Sequence, residues 1–395
     1  MAAPTRRHPA PGSTASLRAA NQRRVLAVLQ SGDGSQVSQA EIARTTQLAP
    51  ATVSNIVRDL AGAGLVDTVT GSGRRGTAVT ISRRAGLVVG VDFGHRHVRV
   101  AVGDLAGSVL AESAEPLSPD HPHQEGLDSV ERQLGDLLTS IDGDRAEVAT
   151  LGIGLPAPVN DDGVVMSSGI LPGWVGVRAG DVAEQRFAAP AFVENDANLG
   201  ALAEYRLGAG AGHDTMVFVK VASGLGAGLI VDGELFRGAA GTAGEIGHLT
   251  FDEQGPVCRC GSRGCLEAYT SVGMTESMLA EQFPDASFGE LVRAALEGNV
   301  AALRTFEDAG LHLGWGLAML ANLLNPSTIV VGGEMVRAGD MLLDSVRVGL
   351  RRHALPSVAS HTSVTAAHLG DRASVMGALL MAIDRTELIP AHGVG

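Results

Sequence analysis

Cysteine is nearly absent from this chain: three residues in 395, all between Cys258 and Cys265. An odd number packed into one short stretch excludes the disulfide framework that staples small secreted domains. Aromatic residues make up only 3% of the chain, yet 45% is hydrophobic, ample for a globular core. No apolar run is long enough to cross a bilayer, which excludes a membrane-spanning class. The opening "MAAPTRRHPAPGSTAS" has no apolar stretch behind its arginines, so it does not read as a signal peptide. It reads as a disordered basic arm over residues 1–16, and a cytoplasmic protein is expected.

What is present is glycine, 52 residues, suited to tight turns and close backbone approach to a ligand. The length suggests two or three domains. Net charge is −13, unevenly spread. Residues 1–84 carry 11 arginines against four acids, a net +7, and the remainder carries 19 basic against 39 acidic groups, a net −20. A basic head on an acidic body points to a polyanionic partner for the head alone.

In that head, "LRAANQRRVLAVLQ" follows Ser16, a candidate N-cap, with Leu17, Val25, Leu26, Val28 and Leu29 at helical spacing. "VSQAEIARTTQL" is a second helix with Ser38 as its candidate cap. "APATVSNIVRDLAGAGLV" starts a third near Pro50, buries Val53, Ile56, Val57 and Leu60, and stops at Gly64. The short link between the last two is that of a helix-turn-helix. Thr52, Ser54, Asn55 and Arg58 lie on the third helix's other face, suited to base edges and phosphates of double-stranded DNA. Two β-rich runs joined by "GSGRRG" then form a wing with Arg74 and Arg75 at its tip. The plainer reading of three helices and a hairpin is a dimerisation or docking module. The combination with a polar third face and a basic tip favours DNA.

From Leu87 strands and helices mix, the pattern of an α/β fold. "LVVGVDFG", "HVRVAVGDL" and "SVLAESAEPL" read as three consecutive strands. "TMVFVKVASGLG", "AGLIVDG" and "ELFRG" repeat the layout, suggesting two duplicated lobes around a cleft.

The segments "VDFG", "LGIGLPAPV", "VENDANLGALAEYRLGAG", "GLGAGLIVDGELFRGAAGTAGEIGHLT", "CRCGSRGCLEAYTS" and "LNPSTIVVGGEMV" resemble the ROK family over roughly residues 85–385. That family comprises sugar kinases and sugar-responsive repressors. The resemblance implies a two-lobed actin-like (ribonuclease-H-like) sugar-kinase fold over residues 85–390, with lobes of about 85–212 and 213–390. Residues 17–84 resemble the winged helix-turn-helix of the family's regulators, which its kinases lack.

Cys258, Cys260 and Cys265, with His248 ten residues before the first, have the composition of a closed tetrahedral zinc site. With no open position, its role would be structural, bracing the loop beside the sugar contacts. The alternative is three inert reduced thiols. The resemblance further implies that Asn195, Asp196, Glu245, His248 and Glu267 hold sugar hydroxyls, a donor set that rejects analogues lacking one of them. His248 would then bind metal with one ring nitrogen and sugar with the other. Singly, each of these groups also reads as a cap or a surface carboxylate.

Asp196 matches the kinases' catalytic base, but phosphoryl transfer also needs a cradle for ATP's phosphates. ROK kinases use Asp-x-Gly-Gly-Thr there, whereas this chain has Asp92-Phe93-Gly94-His95-Arg96, bulky where small residues belong. Asp196 is therefore expected to be a vestigial base in a protein that is not an enzyme. In "ASGLGAGL" Ser223 stands where the kinases usually have Thr; Gly332 and Gly333 still match the adenosine-side turn. In "SSGILPGW" Ile170 stands where kinases often have Asn, which touches the identity of the sugar.

Together these residues read as a sugar-responsive transcriptional regulator, a repressor of carbohydrate-utilisation genes. It would bind operator DNA and a small sugar or sugar phosphate, as a homo-oligomer, dimer or tetramer. Two alternatives are an active ROK sugar kinase carrying a DNA-binding head, and a scaffold whose body binds a protein.

Overall fold

The computed structural model describes residues 14–30, 36–70, 77–160, 162–166 and 171–389. Arg74, Arg75 and Ile170 lie outside the described residues.

The head opens with α1 (Thr14–Gln30). Ser16 therefore sits within the first turn of the helix and is not its N-cap. Next comes β1 (Val37–Ser38), then α2 (Gln39–Thr46), where the Ser38 hydroxyl does cap by accepting from the Glu41 amide at 3.2 Å. Gln47, left-handed at φ 55°, closes α2, and α3 (Pro50–Gly62) starts with proline in its first turn. The wing strands β2 (Val66–Thr70) and β3 (Thr77–Ile81) pair antiparallel, and β1 adds to β3.

The body contains two five-stranded sheets of the same topology. In the first, β4 (Leu87–Phe93), β5 (His97–Asp104) and β6 (Val109–Pro116) form an antiparallel meander. After α4 (His123–Ser140), β7 (Val148–Leu155) lies parallel to β4; after α5 (Ala179–Phe187), β8 (Ala191–Asn195) lies parallel to β7. Helix α6 (Asp196–Leu207) leads to the second sheet, where β9 (Met216–Val221), β10 (Leu225–Val231) and β11 (Glu234–Phe236) repeat the meander. The short helices α7 (Glu267–Thr270), α8 (Val272–Leu279) and α9 (Phe288–Leu296) precede the long α10 (Val300–Leu324). Then β12 (Thr328–Gly332) pairs parallel with β9, and after α11 (Asp340–His353) and α12 (Pro356–Ala359), β13 (Ser363–Ala366) pairs parallel with β12. The duplication legible in the sequence is thus a repeated sheet.

The halves exchange helices. From the first half, α6 packs on β9 and β10, while α13 (Ala373–Arg385), from the end of the second half, packs on β4 and β7. A division at about residue 212 therefore separates the sheets but not the helices between them. The crossing is tight because glycines face it. A Cβ on Gly152 would stand 2.0 Å from the Ala378 carbonyl oxygen, and one on Gly377 2.0 Å from the Leu199 carbonyl oxygen.

Head and body are not separate beads. Val25, Leu26 and Leu29 of α1 belong to one continuous apolar core with Val88, Leu105, Leu379, Leu380 and Ile383 of the body. Gln30 donates to the Ile383 carbonyl at 3.5 Å. The connecting turn is also fixed, with Arg83 donating to the Ile141 carbonyl at 2.8 Å.

Candidate ligand cleft, metal cluster and DNA interface

The candidate ligand site lies where β8 runs into α6. Asn195 is the helix N-cap, its side-chain oxygen accepting from the Ala197 and Asn198 amides, and its amide nitrogen donates to the Ala157 carbonyl at 3.3 Å. Those bonds hold the loop together, so the Asn195 side chain is engaged with the backbone of the wall. The preceding Glu194 is buried and accepts from the Asn195 amide, from Asn198 Nδ2 and from Arg237 Nε at 2.6 Å. Sequence reading passed over Glu194 and Arg237; a charged residue inside a strand otherwise turned inward is the signal that marks Glu194.

Asp196 opens α6 with its carboxylate 2.7 Å from Lys220 Nζ on β9. Burial lifts the Asp196 carboxyl above the usual carboxylate range, and the negative Asp92 adds to this against the pull of Lys220. Burial likewise pushes Glu245 up to about 7, helped by the charges of Asp196 and Glu267. These carboxylates thus feel one another. Glu267 stands behind, its Oε2 accepting from the Leu225 amide at 3.0 Å.

His248 joins this group to the cysteines. Its Nε2 lies 3.9 Å from Glu245 and its Nδ1 lies 3.8 Å from Cys258 Sγ. Cys260 and Cys265 sulfurs are 3.7 Å apart, and ligand atoms of all four residues lie within 4.8 Å of one another. Zinc–thiolate bonds of ~2.3 Å set tetrahedron edges of about 3.8 Å, so this His-Cys-Cys-Cys set has the dimensions of a metal site. Burial pushes the Cys258 thiol up to about 12, and the charge of Glu267 adds to this, so a thiolate there calls for a cation beside it.

The turn after β4 is where the phosphate cradle was expected to be spoiled. It is a tight hairpin, the Gly94 amide donating to the His97 carbonyl at 2.8 Å. His95 turns aside to Asp120 at 3.1 Å and Arg96 faces solvent. The residue that covers the turn is His97: a Cβ on Gly94 would stand 2.1 Å from its ring. That ring also reaches 3.8 Å from Asp92, buried at the end of β4. Gly333 has a packing reason independent of any nucleotide, since a Cβ there would meet the Val221 carbonyl at 2.4 Å.

On the head, Val53, Ile56, Val57 and Leu60 are buried, and Asn55 and Arg58 are exposed on the opposite face, joined at 3.2 Å. Thr52 and Ser54 are half-buried beside them.

A family model described as the ROK family matches residues 88–385, and one described as the MarR family matches residues 18–76. The xylose repressor of Bacillus subtilis is 26% identical over 89% of this chain and 92% of its own length. The DNA-binding transcriptional dual regulator NagC of Escherichia coli is 31% identical over 86% of this chain and 87% of its own. Among solved structures, a ROK family transcriptional regulator described as a homolog of the E. coli MLC protein superposes with a TM-score of 0.78. It is 25% identical and covers 94% of this chain and 98% of its own. A ROK family glucokinase from Streptomyces griseus, in complex with glucose and AMPPNP, has a TM-score of 0.66 at 31% identity. It is covered completely, 100%, yet spans only 76% of this chain. The kinase matches the body, whereas the regulators match head and body together: a winged helix set on a sugar-kinase-like body, this chain belongs to the ROK family.

Proposed function

We propose that this protein is a sugar-responsive transcriptional repressor acting in the cytoplasm on genes of carbohydrate utilisation. The observation that carries this reading is the shared core of head and body, which joins a DNA-reading surface to a cleft whose phosphate turn is covered by His97. Asp196, Glu245, His248 and Glu267 meet a small sugar or sugar phosphate, with Asn195 shaping the wall. Asn55 and Arg58, flanked by Thr52 and Ser54, face the major groove of operator DNA; Arg74 and Arg75 belong to the wing. A structural zinc ion held by His248, Cys258, Cys260 and Cys265 would brace the loop carrying Glu267, and its chemistry there is that of a closed site. Two copies of the head in a homo-oligomer read an inverted repeat.

Sugar binding favours one of two arrangements of the lobes. The shift in operator affinity is bounded by the ligand's differential affinity for the two. Fluorescence anisotropy tests this on DNA from upstream of the protein's own gene and of neighbouring sugar genes, titrated with sugars and sugar phosphates at fixed salt. One compound is expected to move the binding midpoint at least fivefold. Sugar-dependent ADP formation abolished by Asp196→Ala would overturn the reading in favour of a kinase.

A further inference from the structure

Lys220 is the only lysine among the 395 residues, in a chain with 29 arginines. It sits on β9 of the second sheet, and its ammonium touches three other elements. Nζ lies 2.7 Å from Asp196 Oδ2 on α6, 3.0 Å from the Ser374 hydroxyl on α13 and 3.9 Å from Asp92 Oδ1 at the end of β4. The Ser374 hydroxyl in turn donates to the Asp196 carbonyl at 3.1 Å. Asp92 is 2% exposed, and its Oδ1 has no hydrogen-bond partner among the described residues. One ammonium therefore gathers a strand from each sheet and both exchanged helices, with a buried carboxylate oxygen turned toward it just beyond bonding distance.

Two buried carboxylates cannot both stay ionised side by side without a cation between them. Phosphoryl-transfer sites supply one as a divalent metal ion. Here the chain supplies its own. Arginine would not serve: its planar fork pairs edge-on with one carboxylate, whereas a compact ammonium directs three donors to separate groups.

We propose that Lys220 is a positioning residue, the tethered cation of the cleft. It fixes the spacing of Asp92 and Asp196, keeps divalent ions from settling between them, and leaves the second Asp196 oxygen for a neutral hydroxylated ligand. Burial works against the charge on Lys220, but Asp196 and Asp92 more than offset it and hold its proton above the ordinary lysine range. This deepens the receptor reading and rests on it only for the identity of the ligand; the cation itself is testable without sugar or DNA.

The full chain, first saturated with Zn2+, is titrated with Mn2+ and free Mn2+ is read by electron paramagnetic resonance. Lys220→Ser is expected to bind Mn2+ at least tenfold more tightly than the wild type, and adding Asp92→Asn to abolish the gain. Lys220→Ser binding no tighter than wild type, or a gain that survives Asp92→Asn, overturns the proposal. Should Lys220→Ser fail to fold, the wild type provides a second measurement through biosynthetic 15N labelling of lysine, which yields a single Nζ resonance. A sharp ammonium signal with slowed proton exchange supports the tethered cation. A fast-exchanging signal typical of a solvated lysine refutes it, whatever DNA and sugars do.

Discussion

Arg58 is exposed on α3, its guanidinium borrowing the Asn55 side-chain oxygen as a rest. Removing one phosphate contact from a DNA-binding face weakens binding across all sequences and lowers the slope of log affinity against log salt by about 1. Arg58→Ala is expected to behave so in anisotropy titrations at several salt concentrations; an unchanged slope would place Arg58 off the DNA. The cysteines make a separate prediction. Cys260→Ser removes one of the four ligands proposed for zinc, so on that proposal zinc measured by elemental analysis is expected to fall from one ion per chain toward none. These residues stand out in the sequence because their chemistry is local: three cysteines in one loop, one helix face. Lys220 does not. Its three partners lie 24, 128 and 154 positions away, and in sequence nothing but its being the sole lysine sets it apart.

Hairpins and the Ser38 cap were readable at the level of elements, since strand alternation, turn residues and a cap are neighbours along the chain, whereas Ser16, a cap by residue type, lies inside α1. The home of α13 was not readable. Periodicity tells which faces of a helix are apolar but not which sheet will receive them, and α13 is apolar nearly all round. What seats it is the set of glycines it crosses. A Cβ on Gly152 would collide with backbone, which cannot swing away as a side chain does, so Gly152→Ala is expected to cost about 3 kcal/mol. Gly135 on α4, exposed with nothing within 4 Å of its Cβ position, is the matched control. There Ala is expected to be neutral or stabilising by up to ~1 kcal/mol. Chemical denaturation of both variants distinguishes a sheet–helix contact that depends on glycine from one that merely contains it.

Over the whole molecule, the question is whether the basic head rides on the acidic body as a tethered module or is part of it. The uneven charge points to a polyanionic partner for the head alone and says nothing of how the two parts are joined. The structure answers through apolar packing: α1 of the head and α13 of the body share one core, and Ser374, in the first turn of α13, bonds Lys220. A ligand that changes how the Lys220–Asp196–Ser374 group sits would therefore act on the helix that the head rests against, without any need for a lever between domains. This arrangement predicts cooperative unfolding. The two tryptophans, Trp174 and Trp315, lie one in each half of the body, and operator binding reports the head. Urea titrations followed by tryptophan fluorescence and by anisotropy on operator DNA are expected to give coincident transitions, as required of a unit without populated intermediates. Loss of DNA binding at a distinctly lower urea concentration than the tryptophan transition would mean that the head unfolds alone and that the shared core is too weak to carry the signal.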